Sequence, residues 1–183
     1  MSFLHFFGFH PHETRPGDTE TVRRIVGQLE QMEPERARYL AAFAYVLSRV
    51  ANADQQITEA ETRKMEEILQ RVGDLPEEQA VLAIQIAKAQ NRLAGGTEDF
   101  LVTREFRQIA TPDQCRQLID CLFAVSAVDD TISSAEETQI WQTASELGIP
   151  RDDFVRIRQR YADKREVLKG FREQIQSGTG NEE

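Results

Sequence analysis

The sequence predicts an all-α protein, a helical bundle of two related helix-loop-helix halves, and three observations predict it. Between Asp18 and Ile175 apolar residues recur at steps of three and four, the period of a helix face. Nowhere do apolar and polar residues alternate long enough to make a strand. Prolines, glycines and capping residues stand where helices of ordinary length start and stop.

The first helix is expected over 19–32 and the second over 34–53, with Pro34 in a first turn, where its missing N–H costs nothing. Helices over 59–72 and 76–93 follow, and Gly73 suits the residue just past a helix end. Gly95-Gly96 breaks the stretch before a helix over 98–109. Thr111-Pro112-Asp113-Gln114 reads as a cap, a first-turn proline and a capping-box partner, and it opens a helix over 112–127. Helices over 134–147 and 151–175 complete the set, separated by Gly148. Residues 18–176 are read as one domain, residues 1–17 as an apolar N-terminal segment and 177–183 as a polar tail that frays.

A chain of 183 residues with 40% apolar and 29% charged residues has the composition of a globular domain. Its 31 acidic and 22 basic residues leave a net charge of -9, which repels phosphate backbones and anionic lipid and argues against nucleic acid as a partner. Cations and basic protein surfaces fit better. The two cysteines, Cys115 and Cys121, form neither a CxxC pair nor a zinc spacing, which favours a reducing, cytoplasmic setting. No apolar run reaches the length of a membrane span. Phe3, Leu4, Phe6, Phe7 and Phe9 crowd the N-terminus, which lacks the basic leader and cleavage site of a signal peptide. This cluster docks on the domain or makes a peripheral contact with a membrane or partner; docking is the simpler reading, because so short a segment holds a membrane weakly.

An internal repeat organises the helices. A shift of 75 residues lays Leu47 on Leu122, Val50 on Val125, Asp54 on Asp129, Ile57 on Ile132, Ala60 on Ala135, Glu61 on Glu136 and Gly73 on Gly148. The copies run about 34–73 and 109–148. Each has an apolar stripe on its first helix, Leu40, Phe43, Ala44, Leu47 and Val50, then Cys115, Leu118, Ile119, Leu122 and Val125. Two such stripes bury each other, so a pseudo-twofold closed bundle is expected.

Within each copy lies Asp-x-x-Ile-Ser/Thr-x-x-Glu: Asp54, Ile57, Thr58 and Glu61, then Asp129, Ile132, Ser133 and Glu136. Ser or Thr followed three residues later by Glu is a capping box, and this accounts for the hydroxyls and much of each Glu. It leaves the Asp unexplained. A carboxylate at a helix C-terminus sits where carbonyls already gather negative charge and needs a positive neighbour. One such neighbour is a hard cation, Ca²⁺, Mg²⁺ or Mn²⁺, held by carboxylate and backbone oxygens. A standard EF-hand is rejected, since Val50 and Val125 occupy the leading ligand position and Gln55 and Asp130 replace the turn glycine. One Asp and one Glu per copy make a tight site only if the two loops converge.

At these residues, ANADQQITEAE and SAVDDTISSAEE, with FLVTREFRQIATPDQCRQLIDCLFAV between them, the chain resembles the tellurite-resistance TerB family, including the TerB-like region of the co-chaperone DjlA. The resemblance covers about 34–154 and implies an all-helical bundle of two related halves with a metal site formed by Asp54, Glu61, Asp129 and Glu136. It implies a stress-associated protein with no reaction generally assigned. The family usually has Gly after the first Asp, where this chain has Gln55 and Asp130.

Other candidates are weaker. His5, His10 and His12 stand in the N-terminal segment, where His10-Pro-His12 is one way to grip a transition metal and solvation the plainer one. No GxSxG, phosphate-binding glycine loop or HExxH is present, so no catalytic residue is assigned and the chain is read as a non-enzyme. Phe154, Ile157, Tyr161, Leu168, Phe171 and Ile175 recur at coiled-coil steps broken only by Lys164. That helix either lies across its own bundle or pairs two copies into a homodimer. Two functions follow: a cytoplasmic TerB-like stress protein whose twin acidic loops bind a divalent cation, or a metal-free helical adaptor, co-chaperone-like, that recruits an unidentified protein partner.

Overall fold

The computed structural model describes residues 16–50, 59–93 and 99–169. Among the described residues eight α-helices follow one another: α1 Pro16–Glu30, α2 Pro34–Val50, α3 Glu59–Arg71, α4 Glu77–Leu93, α5 Asp99–Ile109, α6 Pro112–Ser126, α7 Ser134–Leu147 and α8 Arg151–Gln159. A 3-10 turn, Ala127–Asp129, joins α6 to α7. Among the described residues there is no strand, and a single isolated bridge pairs Ile132 with Arg165 in parallel. The all-α expectation holds.

At the centre stands α2, which packs against α1, α4, α5, α6 and α7. Such a helix needs apolar residues all round and not one stripe. From Tyr39 to Ser48 every residue is buried, and Leu40, Ala42, Phe43, Ala44, Val46 and Leu47 are inaccessible to solvent. Each fully buried Leu or Phe contributes roughly 1.5–3 kcal/mol of hydrophobic stabilisation. The rings of Tyr39, Phe43 and Phe106 meet at centroid distances of 5.2–6.2 Å and knit α2 to α5. Burial also pushes the Tyr39 hydroxyl up to about 12, in spite of the Arg36 guanidinium nearby.

α6 packs on α2, α3, α7 and α8 and buries Cys115, Leu118, Ile119, Cys121, Leu122 and Phe123. Both cysteines are free and in the core. The start of α6 follows from its sequence: the Thr111 hydroxyl accepts from the Gln114 amide, and the Gln114 side chain accepts from the Thr111 N–H at 2.8 Å. α3 begins at Glu59 and α7 at Ser134, 75 residues apart, whereas α2 and α6 begin at Pro34 and Pro112, 78 apart.

The two glycines work differently. Gly148 takes a left-handed φ of 73° past the end of α7, as a C-terminal glycine should. After α3 the left-handed residue is Asp74, φ 52°, and Gly73 answers a close approach instead. A Cβ there would lie 2.7 Å from the Leu69 carbonyl oxygen and 3.1 Å from the Cys121 sulfur of α6.

The C-terminal helix departs from expectation. The periodicity predicts one helix over 151–175, but α8 ends at Gln159 and turns occupy 160–164 before a helical turn at 166–169. Phe154 and Ile157 are buried in the chain's own bundle, where α8 packs on α6. Phe123 of α6 lies 5.6 Å from the Phe154 ring and stacks on Tyr161 at 5.5 Å. The Tyr161 hydroxyl donates to the Asp120 carboxylate at 2.8 Å, and Arg160 pairs with the same carboxylate at 2.6 Å. The first half of the seam is thus covered intramolecularly. Phe171 and Ile175 lie outside the described residues, as do Gly95-Gly96, the Phe-rich N-terminus with His5, His10 and His12, and the tail.

Candidate functional site

Of the four carboxylates singled out in the sequence, Asp54 lies outside the described residues together with Ile57 and Thr58. Glu61 stands half-buried in the first turn of α3. Asp129 closes the 3-10 turn, exposed, and its carboxylate has no hydrogen bond or ion pair among the described residues. Glu136 completes a capping box: its Oε2 accepts from the Ser133 N–H at 2.8 Å and the Ser133 hydroxyl at 2.7 Å, while the Ser133 hydroxyl accepts from the Glu136 N–H at 3.2 Å. The 3-10 turn packs against α3, so the element bearing Asp129 and the helix bearing Glu61 are neighbours. Among the described residues, however, no three His, Cys, Asp or Glu side chains gather closely enough to hold a metal ion.

The lysine charge at the second loop goes to Asp130, the residue after the singled-out Asp129, and not to Asp129 itself. Asp130 takes the left-handed φ of 63°, which glycine adopts freely and Asp tolerates better than most residues. Its carboxylate pairs with Lys164 at 2.5 Å. The hydrogen bond and charge of Lys164 hold the Asp130 carboxyl below its ordinary value, with smaller help from Lys169 and Lys64. Lys169 donates to the Asp130 carbonyl and to the Thr131 hydroxyl, the latter at 2.7 Å.

These lysines belong to a strap, 164–169, that crosses back over the loop. The Ile132 N–H donates to the Lys164 carbonyl at 2.7 Å and the Glu166 N–H to the Ile132 carbonyl at 3.0 Å. Ile132, the apolar centre of the acidic phrase, is buried beneath. Glu166 accepts from the Ser134 N–H at 3.0 Å, so the first turn of α7 carries a second carboxylate on its free amides. Arg165 grips Glu137 of α7 by two hydrogen bonds, 2.7 and 2.8 Å, and Arg158 of α8 reaches the same carboxylate at 3.1 Å.

Between α7, α8 and the strap opens a cleft of about 510 Å³. Trp141, Phe154, Val155 and Val167 supply its apolar surface, and Arg151, Arg158 and Arg165 its basic rim. Trp141 is 41% exposed and sets its ring edge-on to Phe154, 4.7 Å away. Sequence reasoning missed the cleft, whose one local signal is the lone tryptophan, Trp141.

The family profile described as tellurite resistance protein TerB matches residues 40–159, from the centre of α2 to the end of α8. The chain belongs to the TerB family. Both acidic phrases fall inside the match, while the strap that latches the second one lies just beyond it. No curated protein and no solved structure matches the chain. Among the described residues of this TerB-family chain, no helix is long and apolar enough to cross a membrane.

Proposed function

We propose that this TerB-family chain acts by association and not by catalysis, as a stress-associated helical adaptor in the cytoplasm. One observation carries the reading: the cleft of α7, α8 and the strap leaves Trp141 41% exposed, when a bundle of this size has a core able to bury it. Trp and Arg dominate the energetics of protein interfaces, and here they are set side by side on elements held by paired charges. On this reading the second acidic loop is a fastening. Asp130 and Thr131 hold the strap, Glu136 caps α7, and the strap forms one wall of the cleft.

A second reading, a divalent cation held by Asp54, Glu61, Asp129 and Glu136, is favoured by the Asp129 carboxylate, which has no partner among the described residues, on a turn that packs against α3. The donors are hard oxygens, which suit Ca²⁺, Mg²⁺ or Mn²⁺. Against it, Glu136 already spends Oε2 on its cap, so a full shell requires Asp54 and loop carbonyls.

Complementation separates the two. In a tellurite-sensitive strain lacking this protein, the wild type is expected to restore growth, Trp141→Asp with Val167→Asp to fail despite a helical circular dichroism spectrum, and Glu61→Gln with Asp129→Asn to succeed. The opposite pattern, joined to a rise in Tm with millimolar Ca²⁺ or Mn²⁺ that Asp129→Asn abolishes, selects the cation reading. Growth restored by every variant removes both.

A further inference from the structure

The cleft has a chemistry that narrows its partner, an inference that rests on the adaptor reading above. Its rim holds three arginines against one carboxylate, Glu137, in a chain whose net charge is -9. The surplus is therefore local and opposite in sign to the molecule as a whole. Arg165 and Arg158 are held in place by Glu137, at 2.7 to 3.1 Å, and Arg158 also lies over the Phe154 ring, 5.8 Å from its centroid. Arg151, at the first turn of α8, is exposed and has no ion pair among the described residues. Between these charges the surface is apolar: Trp141, Phe154, and Val167 at 43% exposure. The volume suits an aromatic or leucyl side chain with the backbone beside it, and ligand sites commonly span about 300–1,000 Å³.

We infer that the cleft binds an acidic peptide segment of a partner protein, with one apolar side chain seated against Trp141 and flanking carboxylates on Arg151 and Arg158. The apolar anchor supplies desolvation, and the guanidinium groups supply register and selection by charge. A nucleic acid also satisfies the rim, but its polyanionic backbone runs on over the acidic surface beyond the cleft, where a short peptide segment does not. The surplus on the rim likewise disfavours a basic peptide.

Trp141 is the single tryptophan of the chain and reports occupancy of the cleft directly. The probe is a fluorescein-labelled synthetic peptide with a Phe-Leu pair flanked by Asp and Glu, compared with a counterpart in which every acid is lysine. Full-length protein is expected to bind the acidic peptide saturably by anisotropy, with a blue shift of Trp141 emission. Arg151→Glu, a surface change, is expected to weaken binding about tenfold, and the lysine peptide to bind at least as weakly. Absence of saturable binding overturns the inference, as does equal affinity for the two peptides or indifference to Arg151→Glu. Two further results overturn it by naming another occupant. One is a dimer by light scattering that Trp141→Asp dissociates. The other is a Trp141 red shift when Phe171→Asp, Glu182→Gln and Glu183→Gln are introduced together, with the acidic peptide still unbound. If complementation depends on Trp141 while the acidic peptide fails, the adaptor reading stands and only the peptide chemistry falls.

Discussion

Arg49 of α2 and Glu146 of α7 meet inside the bundle at 2.8 Å, with side chains only 5% and 11% exposed. Arg49 also donates to the buried Thr103 hydroxyl of α5 at 2.7 Å, so the guanidinium ties three helices together. Burial alone raises the Glu146 carboxyl, but the Arg49 hydrogen bond and charge outweigh it and hold the group below its ordinary value. A carboxylate depressed in the folded state contributes stability above its unfolded value of about 4.3 and loses it as pH falls through the folded value. Glu146→Gln should therefore cost about 2 kcal/mol at pH 7, where a charged hydrogen bond is replaced by a neutral one. It should cost progressively less as the medium is acidified. Urea unfolding of both proteins from pH 7 to pH 3 checks this, and parallel pH profiles would refute it. This pair was invisible in the sequence. Nothing local distinguishes Arg49 from a solvated arginine, and its partner lies 97 residues away.

At the scale of elements, legibility follows the range of the interaction. The capping boxes at Thr111 and Ser133 could be read directly, because donor and acceptor lie three residues apart and the geometry is internal to the helix start. Ser133→Ala should lower stability by about 1 kcal/mol, measured as a shift of the urea midpoint at constant m value. The end of α8 could not be read. Residues 160–164 contain neither glycine nor proline, so period and propensity carry a helix straight through them. What ends it is tertiary: Tyr161 and Arg160 bond to Asp120, and the strap takes up backbone hydrogen bonds with Ile132. Lys164→Glu places two like charges together at Asp130 and should loosen that strap. Faster amide hydrogen exchange at Ile132 and Glu166, with α2 amides unchanged, is the expected outcome. Unchanged protection at both amides would mean that the backbone bonds hold without the ion pair.

For the whole molecule, the decisive element is α2. Its apolar stripe was recognisable, but the stripe understates it, because helices on several sides bury its full circumference. A helix so placed couples α4 and α5 to α6 and α7, and the chain should unfold as one cooperative unit. Trp141 emission, local to α7 and α8, and far-UV ellipticity, which sums all helices, should then give coincident urea transitions. Separate midpoints would show that α7 and α8 open independently.

The candidate site divides the same way. The cap at Ser133 and Glu136 was readable in the second acidic phrase, but the ion pair at Asp130, next to the singled-out Asp129, was not. The second loop uses Lys164 and Lys169, more than 30 residues along the chain, and the cleft beside it joins side chains from α7, α8 and the strap. Helix, cap and family follow from residues within a few positions of one another, so sequence alone determined them. Which charges meet, which helix is buried on every side and where the last helix stops depend on contacts between distant segments. Local propensity does not encode those contacts, and only the packed chain decided them.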